Sequence, residues 1–343
     1  MRKISSKRRG LVLMALLVLL FVSAVLSAGV GAADVSPKEI IRVVLSHITG
    51  SSISGGSDAI IWNLRLPRIA LALLVGASLA TAGALMQSLF HNPMADPYVV
   101  GASSGAALGA VTVFALGIEI SVLGLNAMCF AALLGGLFVS LLVYWLSRRG
   151  GRVPVGTLLL TGIAVGGIMQ AFTTFILLQR PSSELREVVS WLMGSLANRD
   201  WPHVIALLPY TLLGLGVAMA WRKDLNILAL GDETAHSLGV PLERTKVLLL
   251  LVASTLAAAS VAVSGIIAFV GLIVPHLMRL LVGPNHRVLL PACVLGGGLI
   301  LVWADVLARV IIPGGEVPIG IVTSVLGSLF FLYLLRSRDG KVF

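Results

Sequence analysis

Charged residues are scarce in this chain of 343 residues. Asp, Glu, Lys and Arg make up 12% of it, whereas a soluble domain carries about 25%. Apolar residues make up 57%, and the mean hydropathy is +1.01. Such a chain would aggregate in water, so we expect lipid to be its solvent. No segment of about ten residues alternates at period two, which argues against an outer-membrane barrel and predicts an all-α polytopic membrane protein.

Motifs that mark enzymes and nucleotide-binding proteins are missing. The chain has no GxxxxGK[ST] phosphate loop, and its six histidines show no ligand spacing such as HExxH. Cys129 and Cys293 lie singly in apolar runs, which indicates small buried hydrophobes rather than a disulfide or a metal site. We therefore expect no catalytic residue, no metal and no cofactor bound by this chain.

Apolar runs of roughly 20 residues, the length that spans a bilayer, recur along the chain. The uncharged stretch 247–278 is too long for one span, and Ser264-Gly265 and Pro275 interrupt it. We predict two helices there, and one transmembrane domain over 1–343. The ten predicted spans are 11–31, 66–86, 98–118, 122–146, 155–178, 203–221, 247–264, 266–281, 288–308 and 318–335.

Breaks at membrane depth are tolerated where they face protein or line a water-filled path. This makes the broken stretch a candidate wall of a transport pathway, and a packing kink with no role in transport is the alternative. The pathway or gate candidates are Ser264, Gly265, Gly271 and Pro275.

The distribution of basic residues predicts the orientation of the chain. With the N-terminus inside, 17 of the 25 Lys and Arg fall on the cytoplasmic side, as the positive-inside rule requires. Both termini are therefore expected inside, and the net charge of +10 needs no nucleic-acid partner. Residues 1–31 resemble a signal peptide, but their apolar run exceeds the usual ~7–15 residues, so we expect an uncleaved first helix.

Three segments outside the spans have helical signals. Residues 36–48 and 183–195 read as short amphipathic helices outside, the first with Ser36 as its cap. Residues 230–246 read as a cytoplasmic helix pair with Asp232 and Glu233 at a helix start and Gly239 at its end.

An ion-driven carrier needs an ionisable group at mid-membrane. Asp305 is the one candidate, and Arg309 lies four residues later on the same helix face, which favours a local ion pair. The driving force is therefore expected from a partner protein. An ion-coupled secondary carrier that uses Asp305 stays open as the alternative.

Three long motifs carry a family resemblance. They are RLPR (65–68) with LVGASLATAGALMQSLFHNPMADPYVVGASSGA (74–106), SGIIAFVGLIVPHLMRLLVGPNHRVLLP (264–291), and ADVLAR (304–309) followed by EVPIGIVTSVLGSLFFLYLL (316–335). From about residue 60 to its end, the chain closely resembles the FecCD-type permeases of type II ATP-binding cassette importers, which carry iron-siderophores, haem and vitamin B12. The Glu-Val-Pro at 316–318 departs mildly from the family's usual Glu-Leu-Pro.

The resemblance implies a ten-helix subunit in a prokaryotic cytoplasmic membrane. It implies a second permease copy around a central substrate path. It further implies two cytoplasmic ATPase subunits, which bind ATP and Mg²⁺, and an extracytoplasmic substrate-binding protein.

Residue roles follow from the resemblance where motifs match. Arg65, Arg68 and Arg309 match arginines that pair with glutamates of the substrate-binding protein, and snorkelling at helix ends is their alternative role. The 231–241 loop matches the coupling helix that fits a cleft on the ATPase. Its expected coupling residues are Asp232, Glu233, Ala235 and Gly239.

The turn 92–97, NPMADP, also matches the family and is interpreted as structural. Asn92 and Asp96 are expected to cap helix ends there. The sequence does not distinguish among a siderophore, haem, cobalamin and an oxyanion as cargo.

Overall fold

The computed structural model describes residues 6–31, 35–49, 58–150, 153–312 and 315–336. Arg2, Lys3, Arg152, Arg338 and Lys341, which enter the charge count, lie outside the described residues. Within these ranges the chain forms fourteen α-helices, a π-helix, a 3-10 helix and a short hairpin. The helices are α1 (Ser6–Gly29), α2 (Pro37–Thr49), α3 (Leu66–Leu89), α4 (Ala102–Ala115), α5 (Ala127–Ser147), α6 (Val155–Leu178), α7 (Ser182–Leu192), α8 (Trp201–Ala220), α9 (Arg222–Leu228), α10 (Asp232–Ser237), α11 (Leu242–Ser264), α12 (Val270–Val282), α13 (His286–Val310) and α14 (Ile319–Arg336).

Each of the ten predicted spans overlaps one apolar helix. Among the described residues, seven helices are long and apolar enough to cross a membrane, and α4, α12 and α14 are shorter apolar helices. The predicted all-α polytopic fold is confirmed, while the positions of the membrane boundaries stay predictions.

The predicted second span, 66–86, lies within α3, which begins at Leu66, but helical structure starts earlier than the sequence indicated. A π-helix over Ala59–Arg65 runs directly into α3, and the Leu66 amide donates to the Ile61 carbonyl. Pro67 has no amide hydrogen and its ring crowds the preceding turn, so a regular α-helix cannot pass through it unchanged. The wider π turn accommodates the proline and places Arg65 and Arg68 inside one continuous helix of 31 residues.

The α-helices that overlap the predicted spans 98–118 and 122–146 are shorter than those spans, at Ala102–Ala115 and Ala127–Ser147. A 3-10 helix over Pro97–Val100 ends at Gly101, whose φ of +83° redirects the chain into α4. Strands β1 (Ser121–Val122) and β2 (Leu125–Asn126) pair antiparallel across a two-residue turn before α5 begins. Because the side chains of this hairpin are mostly apolar, the hydrophobic pattern predicted membrane-spanning helix there.

The helix boundaries around the broken stretch also differ from the prediction. Helix α11 begins at Leu242, directly after Pro241, so it absorbs the second helix predicted within 230–246. The break extends over 265–269, with positive φ at Gly265 (+69°) and Phe269 (+68°), so α12 begins at Val270 and not at 266.

Helix α3 lies at the centre of the fold and packs on α8, α11, α12 and α13. Small residues let the backbones touch: a Cβ on Gly76 would lie 2.2 Å from the Gly297 carbonyl oxygen, and one on Gly83 1.7 Å from that of Gly271. Helix–helix packing in membranes relies on such close approach.

The two predicted amphipathic helices outside the spans are confirmed as α2 and α7. Ser36 caps α2 as expected, because its hydroxyl accepts from the Glu39 amide at 3.3 Å. The Glu39 carboxylate in turn accepts from the Ser36 amide at 2.9 Å.

Candidate functional site

Two of the three outer arginines share one buried carboxylate. Arg68 Nε donates to Asp305 Oδ1 at 2.8 Å, and Arg309 Nε lies 3.1 Å from Asp305 Oδ2. Arg68 Nη1 also donates to Glu316 Oε1 at 2.9 Å. The Asp305 side chain is 2% exposed and that of Glu316 42%, so Asp305 forms the buried centre and Glu316 the water-facing edge. We call Arg65, Arg68, Arg309, Asp305 and Glu316 the arginine cluster.

The same cluster holds the end of the first helix. Arg65 Nη1 donates to the Ala28 carbonyl at 2.6 Å. Arg309 Nη1 donates to the Val30 carbonyl at 2.6 Å, and its Nη2 donates to Ser27 Oγ at 2.8 Å. The last carbonyls of a helix have no partner within the helix, and cations at that end also favour its dipole. Arg65 and Arg309 therefore dock the end of α1 onto the π-helix before α3 and onto α13.

The predicted Asp305–Arg309 pair is confirmed, but the cross-helix pair to Arg68 and the part played by Glu316 were not predicted. Arg68 and Asp305 lie 237 positions apart, so no local spacing reveals their contact. The order of the motifs around them was the only available signal.

The inner segment, which we define as residues 222–241, holds the predicted coupling residues. Lys246 Nζ donates to Asp232 Oδ2, and His91 Nε2 lies 3.8 Å from Asp232 Oδ1. Glu233 and Gly239 are exposed, whereas Ala235 is fully buried. Asp232 and Ala235 therefore fix α10 to the body of the chain, and a coupling role for the four residues stays a prediction.

Gly239 ends α10 in the way the sequence predicts. Its φ is +83°, the Val240 amide donates to the Ala235 carbonyl, and the Gly239 amide donates to that of His236. This is a Schellman motif, which needs a residue in the left-handed region. Beside it lies an open groove of about 780 Å³, lined by Glu233, Gly239 and residues of the following turn.

The four pathway or gate candidates lie in close packing contacts within the chain. A Cβ on Gly265 would lie 2.1 Å from the Trp191 carbonyl oxygen, and one on Gly271 2.6 Å from Pro97 Cδ. Ser264 is buried and donates to the Ser260 carbonyl, and Pro275 is buried inside α12. These contacts match the packing alternative for the break, and a gating role stays a prediction.

Phe269 is the residue of the break that sequence reasoning missed. A bulky residue with positive φ is strained, and such strain often marks a position that must hold an unusual geometry. The Phe269 ring fills the space beside Gly327 of α14, where an added Cβ would lie 2.4 Å from the ring.

The turn 92–97 behaves as a structural element. Asp96 Oδ1 accepts from the Tyr98 amide at 2.8 Å and caps the 3-10 helix, as predicted. Asn92 Oδ1 accepts from the Met94 amide at 2.8 Å, so it closes a turn rather than capping a helix.

Metal-ligating side chains are dispersed in the part of the chain that the structure describes. No group of three or more His, Cys, Asp or Glu side chains there is placed to hold a metal ion. Cys129 and Cys293 are both buried free thiols.

Comparison with known proteins places the chain among importer permeases. It is 47% identical to the cobalamin import system permease protein BtuC of Halobacterium salinarum, over 82% of this chain and 75% of that one. It is 40% identical to the hemin transport system permease protein HmuU of Yersinia pestis, over 95% and 96% of the two chains. It is 38% identical to the Fe(3+)-citrate import system permease protein YfmD of Bacillus subtilis, over 97% and 96%.

A solved structure shares the whole fold. A metal-chelate type ABC transporter in an inward-facing conformation superposes with a TM-score of 0.83 at 32% identity, covering 95% of this chain and 99% of that one. The profile of the FecCD transport family matches residues 17–337. The chain therefore belongs to the FecCD transport family.

Proposed function

We propose that the chain is the membrane-spanning permease subunit of an ATP-driven importer in the cytoplasmic membrane of a prokaryote. The cargo is an iron chelate, such as a ferric siderophore or haem, or cobalamin. One observation carries the proposal: nearly the whole chain matches permeases named for cobalamin, hemin and Fe(3+)-citrate import. These cargoes share one chemistry, a metal ion enclosed by an organic ligand.

In this proposal the chain itself catalyses no reaction. Two cytoplasmic ATPase subunits bind ATP and Mg²⁺ and supply the energy. Alternating access of the permease to the two sides of the membrane follows from their movement.

The arginine cluster is the proposed docking site for an extracytoplasmic substrate-binding protein. Guanidinium groups pair with carboxylates through two parallel hydrogen bonds, which gives both strength and orientation. Arg68 already holds the exposed carboxylate of Glu316, so an acidic side chain of a partner can compete at that position. Arg65 and Arg309 contribute by fixing the surface around it.

Residues 231–241, the second half of the inner segment, are the proposed contact with the ATPase. Glu233 and Gly239 lie on its exposed side, while Asp232 and Ala235 anchor it from below. A short helix that is anchored on one side and exposed on the other can pass a partner's movement to the membrane helices.

A second copy of the chain is the proposed partner within the membrane. Helices α6 and α14 expose large apolar side chains, among them Leu160, Phe172, Val325 and Leu329. A substrate path between two copies would run along these helices. Ser264, Gly265, Gly271 and Pro275 would set the position of α12 beside the path.

The test is ATP hydrolysis by the candidate ATPase, reconstituted in liposomes with and without this chain. We expect hydrolysis that depends on the chain and is lost in the variant Glu233→Arg. The matched control is Glu184→Arg, which makes the same charge change on the exposed surface of α7, on the predicted outer side. Hydrolysis at the same rate with and without this chain would contradict the proposal, as would an equal loss of hydrolysis in both variants.

A further inference from the structure

Three polar side chains at the end of α3 and just after it bond to three different helices, α12, α13 and α9. Gln87 Nε2 donates to the Leu272 carbonyl of α12 at 3.0 Å, and its Oε1 accepts from Arg279. Ser88 Oγ lies 2.8 Å from His286 Nε2 of α13. His91 Nε2 lies 2.7 Å from the Leu228 carbonyl of α9. We call Gln87, Ser88 and His91 the inner junction.

The inner segment reaches the same place through a second residue. Asn226 Oδ1 on α9 accepts from the His286 amide at 2.9 Å and lies 2.9 Å from His286 Nδ1. Asn226 Nδ2 donates to Asn285 Oδ1, the group that caps α13. Helix α9 is therefore bonded to the first turn of α13 as well as to the end of α3.

The hydrogen positions on His286 follow from its partners. An amide oxygen only accepts, so Nδ1 carries the hydrogen that Asn226 receives, and Nε2 is left as an acceptor. The Ser88 hydroxyl has one hydrogen and two acceptors within reach, His286 Nε2 at 2.8 Å and the Ala84 carbonyl of its own helix at 2.9 Å. One neutral imidazole thus links α9 to α3. His286 is 2% exposed and Ser88 5%, so water has little access to them. Breaking their hydrogen bonds therefore leaves buried polar groups unpaired.

These hydrogen bonds fix the positions of the helices relative to one another more strictly than apolar packing does. Two apolar helix faces can shift and keep contact, whereas a buried hydrogen bond between two helices is lost when they shift. The bond from Gln87 to Leu272 ends three residues after Phe269, so the junction also reaches the first turn of the helix that follows the break.

We propose that the inner junction, together with Asn226 and His286 that bond to it, transmits movement of the inner segment to α12 and α13. Ser88, Asn226 and His286 are then positioning residues of the transport cycle. The inference rests on the proposed function, because a partner ATPase has to move the inner segment. The inference predicts a result that the proposed function alone does not. Variants that break the junction should still assemble and hydrolyse ATP, but take up less cargo per ATP.

The experiment measures cargo uptake per ATP hydrolysed in proteoliposomes that contain the permease, its ATPase and its substrate-binding protein. We expect Ser88→Ala and Asn226→Leu to hydrolyse ATP but to lower this ratio by about tenfold, equivalent to about 1.4 kcal/mol of lost coupling. Asn226→Asp keeps the accepting oxygen and should restore most of the ratio.

The matched control is Ser147→Ala. Like Ser88, Ser147 is a buried hydroxyl in the last turn of a helix and donates to the carbonyl four residues earlier, which is Val143 for Ser147 and Ala84 for Ser88. Ser88 differs by its additional contact with His286. We expect an unchanged ratio there.

Thermal unfolding in detergent separates loss of coupling from loss of fold. If Ser88→Ala does not fold, the half-buried Asn226 and its Leu and Asp variants carry the same test. Ratios that stay at the wild-type value in folded Ser88→Ala and Asn226→Leu would overturn the inference. A fall of equal size in Ser147→Ala would also overturn it. Absence of ATP-driven uptake by the wild-type complex would instead refute the proposed function, and the inference would fall with it.

Discussion

At the scale of single residues, Asp305 decides between the importer and the ion-coupled carrier. A carrier's carboxylate has to exchange partners as its ion binds and leaves. Both oxygens of Asp305 are held by guanidinium groups, at 2.8 Å from Arg68 and 3.1 Å from Arg309. A carboxylate fixed in this way joins helices, so the geometry favours the importer.

Removing the buried carboxylate should cost far more stability than removing the exposed one. Asp305→Ala leaves two largely buried arginine side chains without their shared carboxylate, and we expect a loss of about 3–5 kcal/mol in the free energy of unfolding. Glu316→Gln loosens a pair whose acid is exposed, and we expect about 0–1 kcal/mol. Denaturant unfolding in detergent measures both, and losses of similar size would contradict the assigned roles.

Asp96 predicts a pH dependence of stability. Burial raises the pKa of this carboxyl to about 6, although the bond from the Tyr98 amide opposes the shift. Because the folded state binds the proton more tightly than the unfolded state does, Asp96 stabilises most below about pH 4. This contribution is lost as the pH rises to about 6.

The variant Asp96→Asn keeps an oxygen for the Tyr98 amide and removes the charge. We expect it to be more stable than the wild type by on the order of 2 kcal/mol at pH 7, and about equally stable near pH 4. Melting temperatures of both proteins across this range test the prediction. A constant difference between them would contradict it.

At the scale of elements, the break between α11 and α12 depends on one glycine. Gly265 has a φ of +69°, and a Cβ there would lie 2.1 Å from the Trp191 carbonyl oxygen. The added Cβ would collide with a backbone atom and not with a flexible side chain, so the collision cannot be relieved without moving a helix.

Gly265→Ala should therefore destabilise the protein by at least about 2 kcal/mol, through both backbone strain and the collision. Gly216→Ala is the control, because an added Cβ in this part of α8 meets nothing within 4 Å. We expect the control to be neutral or stabilising by up to about 1 kcal/mol, since alanine favours helix more than glycine does. Equal melting temperatures for the two variants would contradict this account of the break.

Elements were predictable where hydrophobic pattern and capping residues agree. Ser36 marked the start of α2 and Gly239 the end of α10, because each forms local hydrogen bonds that its own neighbours supply. The π-helix before α3 and the hairpin before α5 were not predictable. Their residues are as apolar as a helix, and what shapes them is Pro67 and a pair of positive-φ residues, Leu123 and Gly124.

At the scale of the whole molecule, the order of long motifs was more informative than any single residue. It indicated the family, which the comparisons confirm, whereas contacts such as Arg68–Asp305 and Ser88–His286 join positions about 200 or more apart. Local patterns determine where a helix forms but carry no information on which distant helix it meets. The junction at the end of α3 therefore emerged only from the structure.

The most direct test of the account is uptake by proteoliposomes that hold this chain, its ATPase and its substrate-binding protein. Radiolabelled cobalamin and a ferric siderophore are offered separately, with ATP supplied on the ATPase side and ion gradients collapsed by an ionophore. The account predicts uptake of one of these chelates that requires ATP and persists without an ion gradient. Uptake that does not require ATP and stops when the ion gradient collapses would contradict the account. Asp305 would then be the residue to study.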